Sequence, residues 1–257
     1  MSEPIDPMML MLAYRSGIFP MADSREDDEV VWIEPRRRAV LPLGEFHCSR
    51  SLARTLRRAR FEVTCNADFA GVIEACAAAR PAAAETWISE RLEASYRLLH
   101  ALGQAHSIEC WETGEPGAPV LVGGLYGVGF DGVFCGESMF SRRRDASKVA
   151  LAWLVAALRL GGGQVLDCQF MTEHLASLGA REISRARYLA ALRAAQAGGG
   201  EPGAAGGASG ADGRTAAGPG GLARLALPTA FAALLASADK SSSSPGNFIA
   251  QSFTQTS

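Results

Sequence analysis

The amino-acid sequence predicts a mixed α/β or α+β fold, a sheet with helices packed on it and one long apolar helix covering a face. Three observations lead there. Strand patterns follow one another from His106 to Phe140, Asp145 to Leu160 reads as a strongly apolar helix, and QVLDCQF follows at once as a further strand. A strand, helix, strand crossover onto an antiparallel meander is the topology this order implies.

The elements follow in chain order. Asp6 before Pro7 is an N-cap with proline in the first turn, and Gly17 ahead of Phe19 and Pro20 is a stop, so a helix is expected over Pro7 to Ser16. VVWIEP and AVLPL read as short strands, Ser49 to Ala59 and Ala67 to Ala79 as helices, and RFEVTC between them as a strand. Ser89 to Leu102 places Leu92, Tyr96, Leu99 and Leu102 at helical spacing. HSIECWE, VLVGGLYGVGF and GVFCGESMF then form the meander, joined by GEPGAP and by the hairpin pair Asp131-Gly132. Gly161 to Gly163 ends the long helix, Thr172 caps a short helix to Leu178, and Ser184 caps another to about Gln196. Residues 197–221 are so rich in Gly and Ala that a flexible linker is expected. In the tail, 222–257, Leu222 to Ala236 is apolar enough for a strand or helix that docks back, while the Ser/Thr-rich end is expected to be loose.

With 257 residues, 48% hydrophobic and 20% charged, the chain can form one large domain or two small ones with real cores, and should be globular and soluble. The N-terminus lacks a basic stretch, and its apolar run Met8 to Ala13 is too short for a signal or a membrane span, so a cytoplasmic location is expected. The six cysteines, Cys48, Cys65, Cys76, Cys110, Cys135 and Cys168, show no CxxC pair and no His at ligand spacing. Reduced, packed thiols are expected, with no metal and no cofactor. A net charge of −2 conceals patches: eight arginines against one acid, Glu45, between Arg36 and Arg60, and an acidic run from Asp23 to Glu29.

Period-two alternation puts Asp167 and Gln169 on one face of their strand and Glu137 on one face with Cys135 and Met139. Neighbouring strands would gather Glu137, Asp167 and Gln169 at the sheet centre. Two readings stand at this point. Asp167 braces a loop and Glu137 pairs with one of Arg142 to Arg144, or the three form a polar site in an apolar pocket lined by Met139, Leu125, Phe140 and Trp87. SRRRDASK lies at the start of the long helix, where backbone N–H groups already favour an anion, and it adds Arg142, Arg143, Arg144 and Lys148. With Arg36, Arg37, Arg38, Arg50, Arg54, Arg57, Arg58 and Arg60 it makes two basic patches, which suit an extended nucleic acid better than a small phosphate. His174 follows Asp167 and Gln169 closely enough to approach the site, although a packed or capping role fits it as well. Trp87, just before the Ser89 cap, is a core aromatic or a ligand contact. No cysteine has the setting of a nucleophile.

The segments AYRSGIFPM, FHCSRSL, TWIS, VGGLYGV, FCGESMFSRRRDASK, LDCQ and HLASLGA, in order between about Pro7 and Leu192, resemble the leucyl/phenylalanyl-tRNA-protein transferases. The resemblance implies a small N-terminal α/β domain, 1–62, and an acetyltransferase-like (GNAT-like) catalytic domain, 63–196. It implies transfer of leucine or phenylalanine, with methionine as a further donor, from aminoacyl-tRNA to proteins beginning with Arg or Lys, marking them for ATP-dependent degradation. Carried over residue by residue, GESMF and DCQ give the functional trio Glu137, Asp167 and Gln169, and the aminoacyl and adenosine pocket draws on Met21, Trp87, Leu125, Met139 and Phe140. Met21 stands where many relatives have tryptophan, Leu125 where methionine is frequent, and the chain starts later than longer relatives. The acetyl-CoA loop of ordinary acetyltransferases is replaced by the arginine run. A CoA-dependent acetyltransferase, which would bind acetyl-CoA, and a non-catalytic RNA-binding protein, which would bind tRNA whether charged or not, are the competing readings.

Overall fold

The computed structural model describes residues 3–78, 86–198 and 225–254. The chain opens with helix α1 (Pro7–Arg15), where the Asp6 side chain accepts from the Met8 backbone N–H at 2.7 Å. A two-stranded ribbon follows, β1 (Phe19–Met21) antiparallel to β2 (Val31–Ile33). Next come β3 (Arg37–Val40), α2 (Arg50–Arg57), β4 (Glu62–Cys65), α3 (Phe69–Ala77) and α4 (Glu90–Ala101). The side chains of Ser49, Asp68 and Ser89 cap the three helices, so each expected start falls within two residues of the observed one.

The meander forms as β5 (Ala105–Thr113), β6 (Pro119–Phe130) and β7 (Val133–Ser141). Asp131 takes a φ of 47° in the β6–β7 hairpin. Helix α5 (Ala146–Leu160) then crosses to β8 (Val165–Gln169), which pairs parallel to β7, and α6 (Glu173–Ser177), β9 (Arg181–Ser184) and α7 (Arg185–Gly198) complete this part. Among the described residues the main sheet has seven strands in the order β4-β5-β6-β7-β8-β3-β9. It is a mixed sheet in an α+β fold, with apolar clusters on both faces. One face carries α5, buried along most of its length. The other is covered by α1, α3, α4 and α7, whose Leu10, Ile73, Tyr96 and Leu192 pack together.

Several observations differ from the sequence reading. Residues 37–40 join the main sheet between β8 and β9, so material assigned to the N-terminal unit completes the central core. β1 and β9 were not expected; each is three or four residues long, too short for a period-two pattern to stand out. The linker lies outside the described residues from 199 onward. The tail forms two helices, α8 (Leu227–Lys240) and α9 (Pro245–Thr254), rather than one element with a loose end. Trp153 of α5 meets Phe231 at 5.2 Å, and Phe253 meets Phe46 at 4.8 Å, so aromatic anchors outweigh the polar Ser/Thr composition.

Candidate active site

Strands β7 and β8 pair only from Val133↔Val165 to Cys135↔Asp167 and then diverge. A β-bulge in β7 lies at the point of divergence: Gly136 faces Gly127 and Ser138 faces Tyr126, leaving Glu137 as the extra residue. Gly127 permits the close approach, since a Cβ there would come within 2.2 Å of the Cys135 carbonyl oxygen. The bulge also corrects the expected alternation. Glu137 stays with Cys135 on the side of α4, whereas Met139 pairs with Leu125 and packs against the α5 cluster. One inserted residue reverses the facing of everything beyond it.

The parted strands open a cleft of about 740 Å³. Met21, Trp87, Leu125, Met139, Phe140, Glu137 and Gln169, all expected at the site, line it. Its apolar depth comes from Leu125, Met139, Leu151, Leu154 and Leu166, and its polar wall from Glu137 and Gln169. Asp167 does not line it; this residue is 0% exposed and lies behind Gln169.

Asp167 accepts from Arg38 Nε at 2.8 Å and Nη2 at 2.6 Å, from the Tyr188 hydroxyl at 2.9 Å, and from the backbone N–H of Gln169 at 2.9 Å. Arg38 was expected to meet tRNA. It is 1% exposed and bound to Asp167 instead, with Phe19 and Tyr188 rings at 4.6 and 4.7 Å from its guanidinium carbon. Burial works against its charge, but the Asp167 carboxylate outweighs that cost and raises the pKa of Arg38.

Gln169 takes a φ of 55°, a left-handed conformation secured by the hydrogen bond from its N–H to Asp167. Its amide Nε2 donates to Glu137 Oε1 at 2.8 Å. No donor to the amide oxygen is found among the described residues, and Gln169 lines the cleft. Glu137 Oε2 accepts from the Tyr96 hydroxyl at 3.1 Å, and Tyr96 meets the Tyr14 hydroxyl at 2.8 Å. Burial pushes the Glu137 carboxyl up to about 8, against the neighbouring Tyr14 and Tyr96 hydroxyls, which favour its charged form.

The basic residues divide. Arg142 lines the cleft with its guanidinium 5.3 Å from the Phe140 ring centre, and Lys148 lies in the first turn of α5. Arg143 pairs with Glu112 at 3.0 Å, and Arg144 is exposed. Arg36 and Arg37 are exposed on and before β3, with Arg37 paired to Glu182 at 2.9 Å, and Arg54, Arg57 and Arg58 are exposed on and just after α2. His174 lines the cleft wall, its pKa lowered by burial and by Lys148. Burial pushes the Cys48 and Cys65 thiols up to about 11 and about 12. Among the described residues no group of three or more His, Cys, Asp or Glu could hold a metal ion, and no helix is long and apolar enough to cross a membrane.

Sequence reasoning missed Tyr14, Tyr96, Tyr188 and Phe170. Tyr96 did carry a signal, a hydroxyl on the buried stripe of α4 that had to find a partner inside.

Fold and site together define an α+β protein with an apolar cleft edged by hydrogen-bonding side chains. A family model described as leucyl/phenylalanyl-tRNA protein transferase matches residues 40–193, and the N-terminal domain model of the same family matches residues 3–36. Curated relatives of that name include one from Novosphingobium aromaticivorans, 60% identical over 98% of this chain and 97% of the relative. Another, from Rhizorhabdus wittichii, is 56% identical over 74% of this chain and 75% of the relative, and one from Zymomonas mobilis is 54% identical over 76% and 71%. The chain belongs to the leucyl/phenylalanyl-tRNA protein transferase family.

Proposed function

We propose that this protein transfers leucine or phenylalanine from aminoacyl-tRNA to the N-terminal α-amine of cytoplasmic proteins beginning with Arg or Lys, marking them for degradation. The observation that carries the reading is the Gln169–Glu137 pair at the lip of an apolar cleft. Leu125, Met139, Leu151 and Leu154 would take the aminoacyl side chain, which leaves its ester at the polar wall.

The reaction asks little of a base. The ester is activated, and an α-amine of pKa about 7.7–8.0 is partly neutral near neutral pH. As the amine attacks, the N–C bond forms, the bond to the ribose oxygen breaks, and one proton passes from nitrogen to that oxygen. The Gln169 amide oxygen accepts a hydrogen bond from the amine and aligns it; glutamine does not titrate, so its contribution is positional. A Glu137 carboxyl at about 8 is matched to the amine and can take up and return that proton. Asp167 and Arg38 hold the backbone that presents Gln169. Arg142 and Lys148, with the exposed arginines, attract the tRNA phosphates.

The test is transfer of labelled leucine or phenylalanine from charged tRNA to peptides beginning with Lys or Arg, with Asp- and Glu-starting peptides as controls. Labelling confined to the basic peptides is expected; labelling of none, or of all alike, would overturn the reading.

A further inference from the structure

Strand β4 is an edge of the main sheet, paired with β5 alone among the described residues. In an antiparallel pair half of a strand's N–H and C=O groups point away from its partner, and on that outer side β4 meets no backbone partner among the described residues. A groove of about 710 Å³ runs along this edge. Every residue from Phe61 to Cys65 lines it, those on the α5 face and those on the opposite face alike, so the groove lies beside the strand and not beneath it. Its far wall is one stripe of α8, Pro228, Phe231, Ala232 and Leu235, and Phe231 rests on Trp153 of α5 at 5.2 Å. The groove is separate from the cleft. Val149 and Trp153 face it, whereas Ser147, Leu151 and Leu154 face the cleft from the other side of α5.

We propose that this groove takes an extended acidic polypeptide segment as an added strand on β4, a docking site independent of the transfer reaction proposed above. A strand edge presents donors and acceptors in alternation, which a peptide backbone matches, while alternate side chains of the guest fall on Phe61, Val63, Trp153 and Phe231. Charge at the mouth selects acidic side chains for the rest. Arg57 and Arg58 lie between Leu56 and Ala59 of the lining, are exposed, and pair with no carboxylate among the described residues. Arg60 lines the groove over the Phe61 ring at 5.2 Å and shares Glu112 with Arg143, so guanidiniums outnumber carboxylates there even with Glu62 counted. The phosphates of a nucleic acid would answer that charge too, but they only accept hydrogen bonds and leave the strand's carbonyls unmet.

The test titrates the full-length enzyme by calorimetry with an N-acetylated peptide of alternating valine and glutamate, whose blocked amine cannot serve as an acceptor. Binding should weaken roughly tenfold or more when the backbone amides of the peptide are N-methylated, and again when its glutamates are replaced by lysine. Ala232→Trp, which fills the groove from an exposed position on α8, should weaken it by a similar factor. Transfer to a Lys-starting peptide should stay within about twofold in that variant, because the groove lies across α5 from the cleft. No binding of the parent peptide at millimolar concentration, or equal binding after N-methylation, after the change to lysine or in Ala232→Trp, would overturn the assignment. So would an RNA oligonucleotide that binds more tightly than the peptide and is expelled by Ala232→Trp, or a dimer of the enzyme that Ala232→Trp dissolves.

Discussion

Asp167 and Glu137 are buried carboxylates on adjacent parallel strands, and they are held by different kinds of partner. Asp167 has a guanidinium across both oxygens, a phenol and a backbone N–H, with no face toward the cleft. Glu137 has an amide and a phenol, both neutral, and borders the cleft. A full counter-charge makes the first a fixed strut. Burial pushes the Glu137 carboxyl up to about 8, with no cation among the described residues bonded to it that would hold it charged. Glu137 lies two positions beyond the last paired residue of β7, where Arg38 acts on it only through space and makes no hydrogen bond to it.

The strut is where the largest loss is expected. Arg38→Ala leaves the Asp167 carboxylate buried without a cation and should cost about 3–5 kcal/mol in chemical denaturation. Arg38→Lys should recover only part of that, because an ammonium cannot span both oxygens as the guanidinium does. If Arg38→Ala unfolds like wild type, the strut is not structural. On the cleft side the order of effects reverses: Gln169→Ala should lower the single-turnover transfer rate roughly 10²-fold. Its stability should fall by less than about 1.5 kcal/mol, the net value of one neutral hydrogen bond. A large stability loss with little effect on rate would erase the distinction between the two sides.

Glu137→Gln sharpens the comparison through pH. The folded carboxyl, at about 8 against an ordinary 4.5, binds its proton more tightly than in the unfolded chain. Its contribution to stability is therefore fully present below about 4.5 and is lost as pH rises through about 8. In Glu137→Gln the fall in stability across that window should flatten, as read by denaturation at a series of pH values. A smaller, separable effect is expected at the surface. Reversing Arg142, Arg143 and Arg144 to glutamate should weaken tRNA binding and reduce the salt slope by about 0.9 for each phosphate that is no longer neutralised. An unchanged slope would remove them from the tRNA-binding surface.

Much of this site is legible in the sequence because its chemistry sits in short local motifs. GESMF and DCQ named Glu137, Asp167 and Gln169, and the long apolar helix between them fixed their strands as parallel neighbours. What escaped depends on packing across the fold. Arg38 sits in a run of three arginines that reads as part of a basic patch for a nucleic acid; only its placement between β8 and β9 shows that the third one turns inward. The facing of Met139 escaped because a bulge leaves no mark in a period-two pattern. Phe170 looked like one more strand residue until the left-handed Gln169 turned it to the cleft. Helix α9 was hidden by its Ser/Thr content, though Ile249 and Ala250 are fully buried.

The contrast between the two carboxylates is tested most directly by following side-chain carboxyl 13C shifts of labelled glutamate through a pH titration of wild type and Glu137→Gln. One resonance titrating near 8 in the wild type and missing from the variant is the expected result. If every glutamate in the wild type titrates in the ordinary carboxylate range, Glu137 is not poised for the substrate amine, and the division between a fixed strut and a titrating partner is wrong.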